Sequence, residues 1–407
     1  MSIRKESIFN ITVLVAALGY FVDIYDLLLF NIVRVDSLKS LGLSAALIKT
    51  EGEFIISIQM IGLLIGGIIW GIMGDKKGRL SVLFGSIVLY SVANILNGFV
   101  QTTNQYALVR FVAGIGLAGE LGAGITLVTE LISKEKRGLS TSLVAGIGLT
   151  GAVVAYFVSQ SFNWRICYFI GGALGFCLLL LRISVFESGM FNKVKQQQVQ
   201  RGNFFMFFTN KKRCKKYILA ILIGLPTWYV IGILIAFSND FAKAFGFTEE
   251  VLPKKSTMYA YIAISIADLA IGFISHWLKS RKKALFIFYG ITIFAIVLFF
   301  NQQQGNATNM YIICAVLGFG TGFWAIFVTM AAEQFGTNLR ATAATTVPNM
   351  VRGSLPIMLL LFKGLQQLTH QYITAACITG AIIMCISSIA AYFTEETFGK
   401  DLNYIET

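Results

Sequence analysis

The sequence predicts an all-α membrane protein: twelve transmembrane helices in two pseudo-symmetric six-helix bundles. Three observations lead there. The 407 residues are 56% hydrophobic and only 13% charged, whereas a soluble domain carries about 25% charged residues. Apolar runs of about 20 residues, the length that crosses a bilayer as a helix, recur along the whole chain. One long polar connection, Glu187 to Lys216, divides them into six and six. The runs are apolar on every face, which fits helices, because barrel strands alternate over about 10 residues.

The first six spans lie near 8–33, 54–74, 80–100, 106–131, 140–161 and 166–183. The second six lie near 217–238, 257–278, 284–301, 309–331, 341–363 and 371–393. This gives an N-terminal bundle over 1–188, a linker over 189–216, a C-terminal bundle over 217–394 and a tail over 395–407. The run from Ile8 is too long for the core of a cleavable signal and is expected to stay as a membrane helix. The linker carries Lys193, Lys195, Arg201, Lys211, Lys212, Arg213, Lys215 and Lys216, and its apolar Phe204 to Phe208 stretch is expected at the membrane surface. With both termini cytoplasmic, 22 of the 33 Lys and Arg fall in cytoplasmic segments and 8 on the opposite side. Basic residues favour the cytoplasmic side, so that orientation is expected. The same bias accounts for the net charge of +13 through attraction to the anionic inner leaflet, without nucleic acid. The abundance of Ile, Lys and Asn suits a bacterial protein, and so a cytoplasmic (inner) membrane.

Charges inside the spans carry the functional signal. A charged side chain at the centre of a membrane helix costs about 3 kcal/mol on insertion scales, so it faces a bundle interior or a wet cavity and finds a partner. The fourth span holds Arg110 near one end and Glu120 near its middle, with Gly114, Gly116, Ala118 and Gly119 between them to admit a neighbouring helix. In the first span Asp23 and Asp26 are three residues apart and share a face. Their depth matches that of Arg110, so an Asp–Arg pair lining a cavity is geometrically possible. A purely structural ion pair between the first and fourth helices is the alternative. Two acids for one base leave a carboxylate free to titrate. In the second half Asp268 sits midway along the eighth span and Arg352 midway along the eleventh. They can pair, or Arg352 can hold an anionic substrate group. Pro348 and Pro356 bracket Arg352 and allow a kink. Pro226, Trp228 and Tyr229 suggest a bend with an aromatic wall, and Trp324 follows Gly318, Gly320 and Gly322.

Other chemistries find little support. The six cysteines form no CxxC pair and read as packing thiols. Two histidines, His276 and His370, do not make a metal cluster. GIGLAGELGAG is glycine-rich but lies inside a membrane helix with no strand before it, so a dinucleotide-binding reading fails.

Several short motifs resemble the major facilitator superfamily. GIMGDKKGR, Gly71 to Arg79, is similar to its G-x-L-x-D-R-x-G-R-R signature between helices 2 and 3, with Met73 for leucine and Lys76 for arginine. Read locally, Asp75 there can cap the third helix. Glu130 and Arg137 resemble the E-x6-R-G pattern after helix 4 of sugar porters, and Trp164-Arg165 with Gly171 resembles the start of helix 6. EQFGTNLR, Glu333 to Arg340, is similar to E-x-F-P-T-x-x-R after helix 10, with Gly336 for proline. ETFGKDL, Glu396 to Leu402, resembles the segment after helix 12. The D-x-x-D of helix 1 with RFVAGIGLAGE of helix 4 resembles metabolite:proton symporters and also aromatic-acid and phosphate carriers. The corresponding loop of the second half, GFISHWLKSRKK, lacks the signature aspartate and has His276 near its place, so a weaker or different gate is expected there.

The resemblance implies secondary active transport by alternating access, not an enzyme, and a cytoplasmic gate of Gly71, Asp75, Gly78, Arg79, Glu130, Arg137, Glu333 and Arg340. The expected reaction is proton-coupled symport of a small polar metabolite, a carboxylate or zwitterion. Export or facilitated diffusion, or a membrane sensor without transport, are the alternatives. The residues expected in proton coupling are Asp23, Asp26, Arg110 and Glu120. Those expected to contact substrate are Tyr25, Asn31, Trp228, Tyr229, Asp268, Trp324, Asn349 and Arg352. No cofactor beyond a proton gradient is implied. The expected partners are the small-molecule substrate and the lipid bilayer, with no nucleic acid and no obligate protein partner.

Overall fold

The computed structural model describes residues 11–133, 136–181 and 201–406. Arg4, Lys5, Lys134, Arg182, Lys193 and Lys195, used above for orientation and for the linker, lie outside them. The described elements are helices. α1 (Ile11–Ser40), α2 (Ala45–Lys77) and α3 (Arg79–Asn97) are the first three spans. α4 (Thr103–Leu117) with α5 (Glu120–Leu131) makes the fourth, α6 (Arg137–Leu149) with α7 (Gly151–Ser161) the fifth, and α8 (Trp164–Leu181) the sixth. A short α9 (Met206–Thr209) leads into the seventh span: α10 (Lys211–Tyr229), a π-helical stretch (Val230–Ile235) and α11 (Ser238–Ala244). α12 (Pro253–Trp277) and α13 (Arg281–Phe300) are the eighth and ninth. α14 (Ala307–Thr321) with α15 (Trp324–Glu333) forms the tenth, α16 (Arg340–Gly353) with α17 (Leu355–Thr369) the eleventh, and α18 (Tyr372–Phe393) the twelfth.

Among the described residues, 11 helices are long and apolar enough to cross a membrane. The eleventh span is the exception. Its first part, RATAATTVPNMVRG, is polar and almost wholly buried against other helices, so it meets little lipid. The first two helices also outrun the apolar stretches that mark them. α1 continues to Ser40 because Arg34, Ser37 and Leu38 are buried there against protein. The outer surface is the reverse of a soluble protein's. Leu180, Phe273, Ile357 and Tyr392 are exposed, while Asp26, Arg110, Asp268, Arg340 and Arg352 are buried. In the Phe204 to Phe208 stretch only part faces out: Phe205 and Phe208 are exposed, and Phe207 stacks on Tyr217 with ring centres 4.4 Å apart.

The two bundles meet chiefly where α2 lies on α16 and where α12 lies on α6. Small residues allow this. A Cβ on Gly122 of α5 would stand 2.3 Å from Thr345 Oγ1 of α16. Within the first bundle α2 and α4 touch backbone to backbone, and a Cβ on Gly114 would lie 2.4 Å from the Gln59 carbonyl. At Gly78, between α2 and α3, the backbone takes φ 107°, which favours glycine. Replacing Gly114 by Val is expected to force α2 from α4 and cost about 1–3 kcal/mol, read as a lower melting temperature of the purified protein. Gly290→Ala is the control, since a Cβ there meets nothing within 4 Å. Equal melting of the two variants would contradict this packing.

Candidate functional site

α1 runs through the first bundle with two faces. Tyr20, Ile24 and Leu27, at i, i+4 and i+7, line a cavity between the bundles. That register turns Asp26 away from the cavity and into its own bundle. Asp26 Oδ1 accepts a hydrogen bond from Arg110 Nη1 at 2.9 Å, and its backbone carbonyl accepts from Nη2 at 3.1 Å. Arg110 Nε donates to Gln59 Oε1 (3.3 Å), Nη1 also to Asn94 Oδ1 (3.4 Å), and the guanidinium lies 5.5 Å from the Tyr168 ring centre. Both charges are fully buried. Asp23, one turn earlier, is buried as well. The expected Asp–Arg pair therefore forms at Asp26. It lies inside the first bundle, whereas the lining of the central cavity is supplied by other residues of α1.

The central cavity is narrow, about 20 Å³. Thr227 and Trp228 of α10, Tyr261 of α12, Thr321 of α14, Trp324 of α15 and Arg352 of α16 complete its wall. Arg352 is the one basic group in that wall. Its Nη1 donates to Asn349 Oδ1 at 3.3 Å, and its guanidinium sits 5.6 Å from the Trp324 ring centre. Its Nε has no hydrogen-bond partner among the described residues, and neither do Tyr20 Oη, Thr227 Oγ1 and Trp324 Nε1. Buried polar atoms are normally satisfied. Four unsatisfied ones around a single hollow with aromatic walls mark it as the candidate site.

The remaining candidates separate. Trp228, Trp324 and Arg352 line the cavity. Asn349 stands behind it, holding Arg352 and donating from Nδ2 to the Ala118 carbonyl at 2.8 Å. Tyr25 and Tyr229 do not reach the cavity. Their hydroxyls donate to the Cys167 and Ala376 carbonyls (2.9 and 2.7 Å) inside their own bundles. Asn31 borders a different hollow, with Asp36, Asn239 and Lys254. Asp268 does not pair with Arg352. The tenth span breaks after Thr321, and Asp268 Oδ1 accepts from Ala325 N at 3.0 Å, at the start of α15. Glu120 opens α5 just past the break at Ala118 and Gly119, and its Oε1 accepts from Ser86 Oγ at 3.2 Å. It is about 15 Å along the span from Arg110, at 1.5 Å per residue. The sequence reading missed Tyr20, Thr227, Tyr261 and Thr321. Each is an ordinary polar residue in an apolar run, and only the crossing of four helices brings them together.

The end carrying the motif loops is closed by a buried network. Asp75 Oδ2 accepts from Thr342 N and Oγ1 (2.8 and 2.7 Å), and Oδ1 from Ala341 N (3.2 Å). It thus caps α16 of the other bundle and not α3, because α2 continues past it to Lys77. Arg79 pairs with Glu130 at 2.7 Å and Asp75 at 3.5 Å, and Glu130 pairs with Arg340 at 3.1 Å. Thr342 Oγ1 donates to the Gly71 carbonyl at 3.1 Å. Arg137 donates to the Thr129 and Lys400 carbonyls, and Arg340 to the Leu402 carbonyl. In the second bundle Arg281, read from the sequence only as a loop charge, pairs with Glu333 at 3.1 Å, and Glu333 accepts from Thr397 Oγ1 at 2.8 Å. The opposite end is tied more loosely. Lys49–Asp240 (3.5 Å) and Lys254–Asp36 (3.7 Å) are partly exposed, and Arg34 donates to the Ala236 carbonyl at 3.4 Å. Exposed pairs of that kind contribute about 0–1 kcal/mol. The two bundles are thus tied to each other at both ends.

The Major Facilitator Superfamily profile matches residues 16–359. The chain belongs to that superfamily. It is 26% identical over 443 residues to the niacin transporter of Acinetobacter baylyi, covering 98% of this chain and 96% of that one. It is 23% identical over 343 residues to the gentisate transporter of Corynebacterium glutamicum, covering 79% and 73%. Among solved structures, the proton:xylose symporter bound to 6-bromo-6-deoxy-D-glucose superposes with a TM-score of 0.73, at 18% identity and 97% of each chain. As a member of this superfamily the protein is a multi-pass membrane transporter of small molecules and not an enzyme.

In this superfamily member the segment after α18 is part of the closed end. Leu402 is buried, Thr337 N donates to the Tyr404 carbonyl (2.9 Å), and Asn338 Nδ2 to the Glu406 carbonyl (3.0 Å). Glu396 anchors it. Burial alone would raise its carboxyl, but the Ser280 hydroxyl and the N–H groups of Phe398, Arg281 and Lys282 outweigh that and hold it below its usual range. A carboxylate with a lowered folded-state pKa stabilises docking above its unfolded value and loses that contribution as pH falls through the folded one. Hydrogen-exchange protection of 396–406 is therefore expected to be full at neutral pH and to fall only once the pH drops below the ordinary glutamate range. Glu396→Gln should weaken docking at neutral pH and flatten this dependence; an identical pH profile in that variant would refute the assignment.

Proposed function

We propose that the protein is a secondary active transporter that carries a small planar carboxylate together with a proton, by alternating access of the central cavity. The unpaired Arg352 guanidinium carries this reading. Among the described residues Arg352 has no counter-ion, which is unfavourable for a buried cation, and a ligand carboxylate would supply one, in the two-pronged geometry that guanidinium favours. Trp228, Tyr261 and Trp324 offer flat apolar faces for the body of the ligand, and Tyr20 and Thr227 offer hydroxyls at its edge. The relatives named for niacin and gentisate, both aromatic carboxylates, support the same class.

A proton gradient would drive accumulation. Asp26 and Arg110 form the proposed proton-handling pair, with Asp23 and Glu120 as the other buried carboxylates of the first bundle. Protonation of Asp26 would release Arg110 and loosen α1 against α2, α3 and α8, where the guanidinium has its other partners. The proposed location is a bacterial inner membrane. The motif loops and both termini would face the cytoplasm, so that the buried network closes the inner end.

Proteoliposomes with an imposed pH gradient test this with labelled nicotinate and benzoate. Uphill uptake of at least one, and none of uncharged nicotinamide, is expected. Arg352→Gln should reduce uptake about tenfold to a hundredfold, the weight of a charge-assisted hydrogen bond. Asp26→Asn should abolish accumulation while leaving exchange; accumulation in that variant that ignores pH would rule the proton pair out.

A further inference from the structure

The break in the tenth span is held from outside. α14 stops at Thr321, α15 starts at Trp324, and the residue before α15, Phe323, brings no side-chain cap. A helix that starts in a buried place leaves N–H groups open. Asp268 of α12 meets that need, with Oδ1 accepting from Ala325 N at 3.0 Å. The two spans are in contact here, since a Cβ on Gly322 would lie 2.2 Å from Ala267 Cβ. The other oxygen, Oδ2, is buried and has no hydrogen-bond partner among the described residues. The segment so held is a rod of 10 residues. At one end Trp324 lies against Arg352 in the cavity. In its middle Thr329 meets Thr141 of α6, Oγ1 to Oγ1 at 2.8 Å. At its other end Glu333 pairs with Arg281 in the closed network.

We propose that Asp268 is a proton-linked positioning residue: ionised, it pins the start of α15 and keeps Trp324 against Arg352; protonated on Oδ2, it holds that end more weakly, so that an anion bound at Arg352 can shift the rod and part Glu333 from Arg281. This deepens the function proposed above and rests on Arg352 being the carboxylate site. A carboxylate suits the positive start of a helix, and a neutral acid loses that attraction and competes as a donor. An anion that neutralises Arg352 removes a positive charge from the surroundings of Asp268. Anion and proton thereby favour each other's binding, and such coupling is reciprocal.

The ionisable groups around Asp268 are few. Tyr20 of α1 interacts with Asp268, Asp23, Tyr261 and Arg352. On the fifth span no ionisable side chain lies between Arg137 and Tyr156. α13 brings Tyr289, whose hydroxyl is spent on the Ile223 carbonyl, and Arg281, Lys282 and Lys283 at its start, two turns along α12 where Arg281 meets Ser275; α14 brings Tyr311 and Cys314 well before the break, and α15 brings only Glu333 at its far end.

Tryptophan fluorescence of the full-length protein in detergent, without substrate, tests the proposal. Subtracting the Trp324→Phe variant isolates the Trp324 signal, followed from about pH 8 to about pH 5, the range in which a buried carboxylate can titrate. The wild type should show one transition. Asp268→Asn, which keeps an acceptor for Ala325 N but cannot ionise, should show none. A transition with unchanged midpoint in Asp268→Asn overturns the proposal. So does a flat wild-type trace, which decides the matter alone if the variant does not fold. The signal needs no ligand, so failure of nicotinate and benzoate transport would sink the substrate reading and leave this result to be read separately.

Discussion

A charge or an open amide carried into a low-dielectric interior must find its match there, and the architecture of this protein follows from that requirement. Arg110 shows it most fully. Its guanidinium is met by a carboxylate and a carbonyl of α1, side-chain amides of α2 and α3, and the face of Tyr168 on α8. Four helices are thereby fixed around one side chain. Removing one partner from such a buried pair typically costs about 3–5 kcal/mol, more than any exposed pair contributes. Arg352 is the counter-example within the same molecule. It has an amide oxygen and a ring, but no counter-ion among the described residues, and it faces a hollow. The two arginines differ in surroundings: Arg110 is enclosed by partners of its own bundle, and Arg352 faces the hollow between the bundles.

The same requirement explains the broken spans. A helix interrupted inside the membrane exposes backbone groups, and in this chain they are met from neighbouring spans. Asp268 meets the start of α15, and Asn349 meets the Ala118 carbonyl at the break in the fourth span. Asp75 does the same for α16 at the motif-bearing end. Two of these three contacts, those of Asn349 and Asp75, cross between bundles. A relative movement of the bundles therefore has to break specific hydrogen bonds as well as slide apolar surfaces, which favours discrete closed and open states over a continuum.

The two ends are held unequally. At one, Asp75, Arg79, Glu130 and Arg340 are fully or nearly fully buried and share partners, so each supports the others. At the other, single lysine pairs are partly in contact with solvent. The buried network is the larger barrier to opening, and the residues after α18 add main-chain bonds to it. The second bundle lacks an aspartate at the position of the loop signature, yet it still closes. Arg281 reaches Glu333 and Ser275, and the tail supplies Thr397.

The sequence by itself determined the class of fold, the number of spans and the presence of a few costly charges. Hydropathy and span length act locally, so they can be read one segment at a time. The resemblance of its loop motifs to those of the superfamily also pointed to residues that gather at the closed end, among them Asp75, Arg79, Glu130 and Arg340. Only the tertiary structure decided which face each span shows to which neighbour. A shift of one residue on α1 separates Asp26, in its own bundle, from Leu27, in the cavity. It decided likewise that Asp75 caps α16 instead of α3, that Tyr25 and Tyr229 stay inside their bundles, and that Asp268 holds a helix start and leaves Arg352 unpaired. Those outcomes depend on rotation about helix axes and on where helices break, and both are set by contacts between residues far apart in the chain, which no local pattern records.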